Sequence, residues 1–153
     1  HDMTVFKRAE DVGLAIGEAL AGVTIANGSE TDIGTAVHYG RTHIEDHEIP
    51  CVSIMEGNDV VEHNARSPQV KTTQRYGLVA YVRIAEGQTP NSAAHAAIRD
   101  MKRAIFAGDG TFGRRAISTR YVGRNIGPRA DGADIVLALI EVDVVYAENL
   151  VEP

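Results

Sequence analysis

Between residues 76 and 84 apolar side chains take every second position. Tyr76, Leu78, Ala80, Val82 and Ile84 fall on one face, and Val79, Tyr81 and Arg83 on the other. A period of two is a strand with one buried face. A second alternation closes the chain: residues 135–146 set Ile140, Val142, Val144 and Tyr146 against Glu141 and Asp143. Strand-like runs also occur at 23–25, 36–39, 49–55, 60–63 and 116–122. Most of these follow one another with no helix between them. Strands joined that way pair antiparallel, so the expectation is an α+β domain, a mainly antiparallel sheet with two principal helices packed on one face and long polar loops.

The two helices are read from three- and four-residue spacing. Val5, Ala9, Val12, Ile16, Ala19 and Leu20 form the first stripe, with Thr4 as its cap and Gly22 as its stop. Ala94, Ala97, Ile98, Met101 and Ile105 form the second, opened by Thr89 or Asn91 with Pro90 at its mouth and ended at Gly108. Polar stretches at 26–48 and 64–73 read as long loops. Gly57-Asn58-Asp59 reads as a turn, and Asn27-Gly28-Ser29 as a turn rather than a glycosylation site. Residues 125–128 form a Gly/Pro loop.

At 153 residues the chain has the length of a single domain, taken as 4–150, with His1-Asp2 read as a remnant ahead of a native Met3. Composition is ordinary, 44 % apolar and 24 % charged, which excludes disordered, collagen-like and coiled-coil classes. No run of 18 apolar residues is present, so no membrane-spanning segment is expected, and no basic-then-apolar leader is visible. A lone Cys51 allows no internal disulfide and no cysteine-based zinc cluster, in keeping with a reducing compartment.

Charge is segregated along the chain. Residues 1–64 hold 3 basic and 12 acidic side chains, a balance of −9. Residues 65–129 hold 12 basic and 3 acidic, +9, and residues 130–153 hold 6 acidic and none basic, −6. Either the blocks fold onto each other within one chain, or the basic middle of one copy faces acids of the next. On the second reading Arg66, Arg75, Arg114, Arg115, Arg120 and Arg124, with Glu141 and Asp143, are the candidate subunit or tube interface.

Candidate chemistry is sparse. His38, His43 and His47 lie among Glu45, Asp46, Glu48 and Cys51, but 42–50 is too short and polar for a helix before Pro50, so a solvated loop is expected rather than a metal site. Gly108-Asp109-Gly110-Thr111-Phe112-Gly113 matches G-x-G-x-x-G literally. Its context is inverted, with a helix before it and a strand after, so it reads as a turn and no cofactor is expected. No serine sits in a nucleophile elbow, and Cys51 in a strand reads as a small buried hydrophobe. The arginines have only Phe112 and Tyr121 nearby for stacking, which favours protein contacts over nucleic-acid recognition.

Four stretches together resemble the tail terminator (tail completion, minor tail protein U type) proteins of long-tailed bacteriophages and related prophages. They are the opening helix from Val5 to Leu20, Ile49-Pro50-Cys51-Val52-Ser53-Ile54-Met55-Glu56-Gly57 after a long loop, the 76–84 strand leading into the 91–107 helix, and the closing Glu141-Val142-Asp143-Val144-Val145-Tyr146. The resemblance implies a non-enzymatic virion protein without catalytic residues or cofactor. Assembled in the host cytoplasm, it would form a homohexameric ring at the head-proximal end of the tail tube. Such a ring caps the major tail tube protein, ends its polymerisation and meets the head-tail connector, while genome DNA passes the lumen without sequence-specific binding. Two alternatives stay open: another neck component, of head-completion or stopper type, and a metal-dependent or small-molecule-binding α+β enzyme using the histidine loop.

Overall fold

The strands are β1 (Val37–Tyr39), β2 (Cys51–His63), β3 (Gln69–Arg83), β4 (Ser118–Ile126) and β5 (Ile135–Asn149). They make one sheet in the order β1-β2-β3-β5-β4, antiparallel throughout except for the β1–β2 pair. The computed structural model describes residues 8–63, 66–127 and 133–153. The expected Thr4 cap, the Val5 start of the first helix, and Pro128 of the Gly/Pro loop lie outside them.

Two helices, α1 (Arg8–Ala21) and α2 (Pro90–Phe106), cover one face of the sheet, as the alternation requires. From α1, Val12, Ile16 and Leu20 are buried; from α2, Ala94, Ala97, Ile98, Met101 and Ile105. They meet Tyr76, Leu78, Ala80 and Val82 of β3 and Ile140, Val142, Val144 and Tyr146 of β5 in a single core. Buried side chains of this size each contribute about 1.5–3 kcal/mol, so the two stripes and two alternations account for the packing. Thr89 caps α2, its hydroxyl accepting from the Ser92 amide, and Pro90 opens the first turn.

Several expectations are corrected. Residues 23–25 are not a strand: Thr24 caps a 3₁₀ turn over Ile25–Asn27, ended by Gly28 in the left-handed region at φ 96°. The turn expected at 57–59 is a bulge inside one long strand, because β2 continues past the shift between Glu56 and Asp59. Half of the polar loop expected at 64–73 is strand, since β3 begins at Gln69 and its Val70 and Thr72 point into the covered face. Likewise β4 runs on through Ile126 instead of ending at Val122. At 23–25 the Thr24 cap favours the turn; in the other three cases ladder pairing with a neighbour overrides weak local propensity.

The stretch 26–48 is a loop carrying β1, but it is held down. Asp100, fully buried on α2, accepts from the Glu30 amide (3.1 Å), the Thr31 amide (2.8 Å) and the Thr31 hydroxyl (2.6 Å). Ile33 is fully buried, and Gly34 packs so closely on the backbone of Leu20 and Val23 that no side chain fits there. The 108–113 segment is the turn its inverted context implied, with Gly110 and Gly113 at positive φ between α2 and β4.

Candidate assembly interface

The sheet face away from the helices carries a row of charge across three strands. Asp143 on β5 is directly opposite Arg75 on β3 and Arg120 on β4. Arg75 donates from Nε and Nη2 to the two carboxylate oxygens (2.9 and 3.1 Å), and Arg120 donates from Nη2 (2.7 Å). Asp143 is only 5 % exposed. The hydrogen bonds from the two arginines, Arg75 first, hold its pKa below the ordinary carboxylate value against the opposing effect of burial. Glu141, one row along, lies 3.9 Å from Arg75. Four of the eight candidate residues are thus brought together.

The other four are dispersed. Arg115 pairs with Glu18 of α1 at 3.1 Å. Arg114 adopts φ 71°, and its carbonyl accepts from Arg8. Arg124 is exposed on the helix side of β4, opposite Ile140, and Arg66 sits exposed at the turn joining β2 to β3. Neither Arg114 nor Arg124 joins an ion pair among the described residues. Much of the charge segregation is therefore resolved inside the chain, as Arg99–Glu30, Arg83–Asp46 and Arg83–Asp134 also show.

Strand order separates the two arginine- and acid-bearing strands at the end of the chain. The closing strand is interior, because β5 is paired on both sides, by β3 and β4, whereas β4 is an edge. The opposite edge is shared, because β1 covers β2 only at Val52, Ser53 and Ile54. Beyond it Glu56, Asp59 and Glu62 line an uncovered stretch of β2, and Val60 is 68 % exposed. The sequence reading missed this acidic edge; its signal was three acids and no lysine or arginine between 56 and 63. Asp100 was missed too, although an acid beside Met101 in an otherwise apolar helix stripe marks a buried acceptor.

The histidines do not converge. Arg41 holds Glu48 through two hydrogen bonds (2.6 and 2.9 Å) and keeps its carboxyl down at about 2. His38 Nδ1 is 3.4 Å from Arg41, and His43 is 3.0 Å from Glu45. Among the described residues no three His, Cys, Asp or Glu side chains gather as a metal site, and no helix is long and apolar enough to cross a membrane. Cys51 is fully buried, its thiol pushed up to about 11 by desolvation. A cleft of about 270 Å³ between the pinned loop and the start of α2 is lined by Ile25, Asp32, Pro50 and Ala93.

No protein-family profile matches this chain, and no curated protein matches its sequence. Solved structures do match its fold. One is a chain of the virion of a native gene transfer agent (GTA) particle, 16 % identical, with a TM-score of 0.62 over 94 % of this chain and 99 % of that one. The two chains share their fold over nearly their whole lengths.

Proposed function

We propose that this protein is a structural component of a phage-like virion: a tail terminator that assembles as a homohexameric ring on the end of the tail tube, halts tube growth and offers the surface that joins tail to head connector. The observation that carries this reading is the end-to-end fold likeness to a virion chain of a gene transfer agent particle. It agrees with the four stretches that resemble tail terminators. The opposed charge of the two sheet edges is what contacts between copies require. On this reading the protein works by binding alone, without turnover, metal or nucleotide, and DNA crosses the ring lumen with no base-specific contact.

The test is to add purified protein to polymerising tube protein from the same particle. Tube length should fall with dose and saturate at about one ring per tube end, visible by electron microscopy. Tubes of unchanged length across a wide concentration range overturn the terminator role. Binding to the connector in place of the tube would favour the head-completion or stopper alternative.

A further inference from the structure

The sheet has two open edges on opposite sides, and they carry opposite charge. On one side, β2 is covered by β1 only as far as Ile54, whose carbonyl accepts from the Gly40 amide. The Val52 amide likewise turns outward, to the Ala36 carbonyl. Backbone groups of a strand alternate sides, and the one-residue bulge after Glu56 shifts that alternation. Past the bulge it is Asp59, Val61 and His63 that turn their N–H and C=O groups away from β3. No strand lies beside them among the described residues. This stretch bears Glu56, Asp59 and Glu62, with no lysine or arginine from 56 to 63, and none of the three acids forms an ion pair among the described residues.

On the other side β4 ends the sheet. The Thr119 hydroxyl is bonded to the Gly110 carbonyl, so the loop after α2 shields the start of the strand, and the open part is 121–126. Residues 114–126 hold four arginines and no acid. Arg115 and Arg120 form ion pairs within the chain; Arg114, in the loop before β4, and Arg124, on its open part, form none among the described residues.

We propose that the open acidic stretch of β2 on one copy takes up the open basic edge of β4 on a second copy of this chain, so that the sheet runs on from copy to copy. This rests on the ring reading above and names its contact. β2 and β4 run in opposite directions, as the three antiparallel pairings between them dictate, so a continued sheet pairs them antiparallel. Because the two edges differ, the contact is head-to-tail and generates a ring or an open chain of copies, not a two-fold dimer. The open stretches lie at different heights. Val61 is level with Tyr146 on β5, through Thr72, and Arg124 with Ile140, six residues along that strand. Successive copies therefore step by roughly 20 Å along the strands, at about 3.3 Å per residue. A stagger of this kind is what closing a sheet into a barrel demands. Exposed Val60 and Val61, on opposite faces of the strand, would supply an apolar contact on each face of the junction.

A charge-swap experiment tests the contact. Variant one carries Asp59→Lys with Glu62→Lys; variant two carries Arg114→Glu with Arg124→Glu. Each alone then presents like charges at both edges, and native mass spectrometry should find it monomeric where the unaltered protein is oligomeric. Mixed, each variant complements the other, and oligomers should return with the two alternating in equal number. Val61→Pro removes an outward amide without touching the β3 ladder, so it should fold, judged by an unchanged circular dichroism spectrum, and should weaken assembly at least tenfold. Oligomers that persist in each single variant, or a mixture that fails to recover, overturn the proposed contact. So does unaltered protein that stays monomeric both alone and with tube protein. Tube length is read in parallel: shortening by a protein whose edges prove irrelevant leaves the terminator reading standing, while edge-paired oligomers that ignore tubes sink that reading and leave the contact.

Discussion

Asp143→Asn isolates how much of the charged row belongs to the fold. The substitution keeps the side-chain shape but removes the charge that receives three hydrogen bonds from Arg75 and Arg120. A hydrogen bond to a charged group contributes about 1.5–3 kcal/mol. The arginine side chains are 43 % and 72 % exposed and regain water when released, so the net loss should be nearer 1–3 kcal/mol in total. For a domain of this size that lowers the melting temperature by roughly 3–10 °C. The pH dependence carries the sharper signature. Folding depresses the Asp143 pKa below its ordinary 3.8, so its contribution is complete above that value and vanishes as the pH falls through the lower folded-state value. The stability difference between the native sequence and Asp143→Asn should be flat from about pH 5 to 8 and shrink steadily below pH 4. Thermal melts by circular dichroism at matched protein concentration measure it. A difference that stays constant down to pH 2, or no difference at pH 7, would refute the assignment of Asp143 as the anchor of this row.

Three further outcomes are expected. Asp100→Ala strands two amides and a hydroxyl under the 26–48 loop and should cost about 3 kcal/mol, with hydrogen exchange at Glu30 and Thr31 accelerated ahead of the sheet amides. Gly34→Ala drives a methyl into the Leu20 carbonyl and to 2.7 Å from that of Val23, both backbone, and should lower the melting temperature by more than 10 °C; Gly17→Ala meets only the movable Tyr39 ring and should cost far less. Cys51, fully buried with a thiol pushed up to about 11, should resist iodoacetamide at pH 8 in native protein and react within minutes in denaturant, as mass spectrometry would record.

Elements that carry their own period were legible in the sequence. The 76–84 alternation, the α2 stripe and the Thr89-Pro90 opening all lie where spacing put them, because burial on one face dictates both pattern and structure. Features set by a distant partner were not. Val70 and Thr72 read as loop because the stretch around them is polar, yet pairing with β5 on one side and β2 on the other makes them strand. The order of strands is equally silent in the pattern: β5 looks like any terminal edge strand until β4 is seen to lie outside it. The candidate interface suffered from the same gap. Block charge marked these arginines as one group, but only geometry separates Arg75 and Arg120, tied to Asp143, from Arg114 and Arg124.

That separation bears on how a small sheet protein can make both a finite ring and a tube end. On the proposed reading, contacts within a ring would run sideways, along the hydrogen-bonding direction of the sheet, and use its two edges. Contacts with a tube would run at right angles to these and use strand ends, loops or a sheet face. In this fold the two sets do not compete. The open edges, 56–63 and 121–126, hold three acids and Arg124 without ion pairs among the described residues, whereas on the outer sheet face Arg75 and Arg120 are met by Asp143 and Glu141. A face neutralised from within presents no long-range field and discriminates by shape, so it can dock on a neutral or variable partner without repelling it. Edges with unmatched and opposite charge do the reverse: they steer copies of the same chain together and are sensitive to salt. Raising the salt concentration should therefore loosen contacts between copies well before it loosens docking on a tube. A protein whose tube binding fell away with salt while its oligomers held would reverse that division of labour.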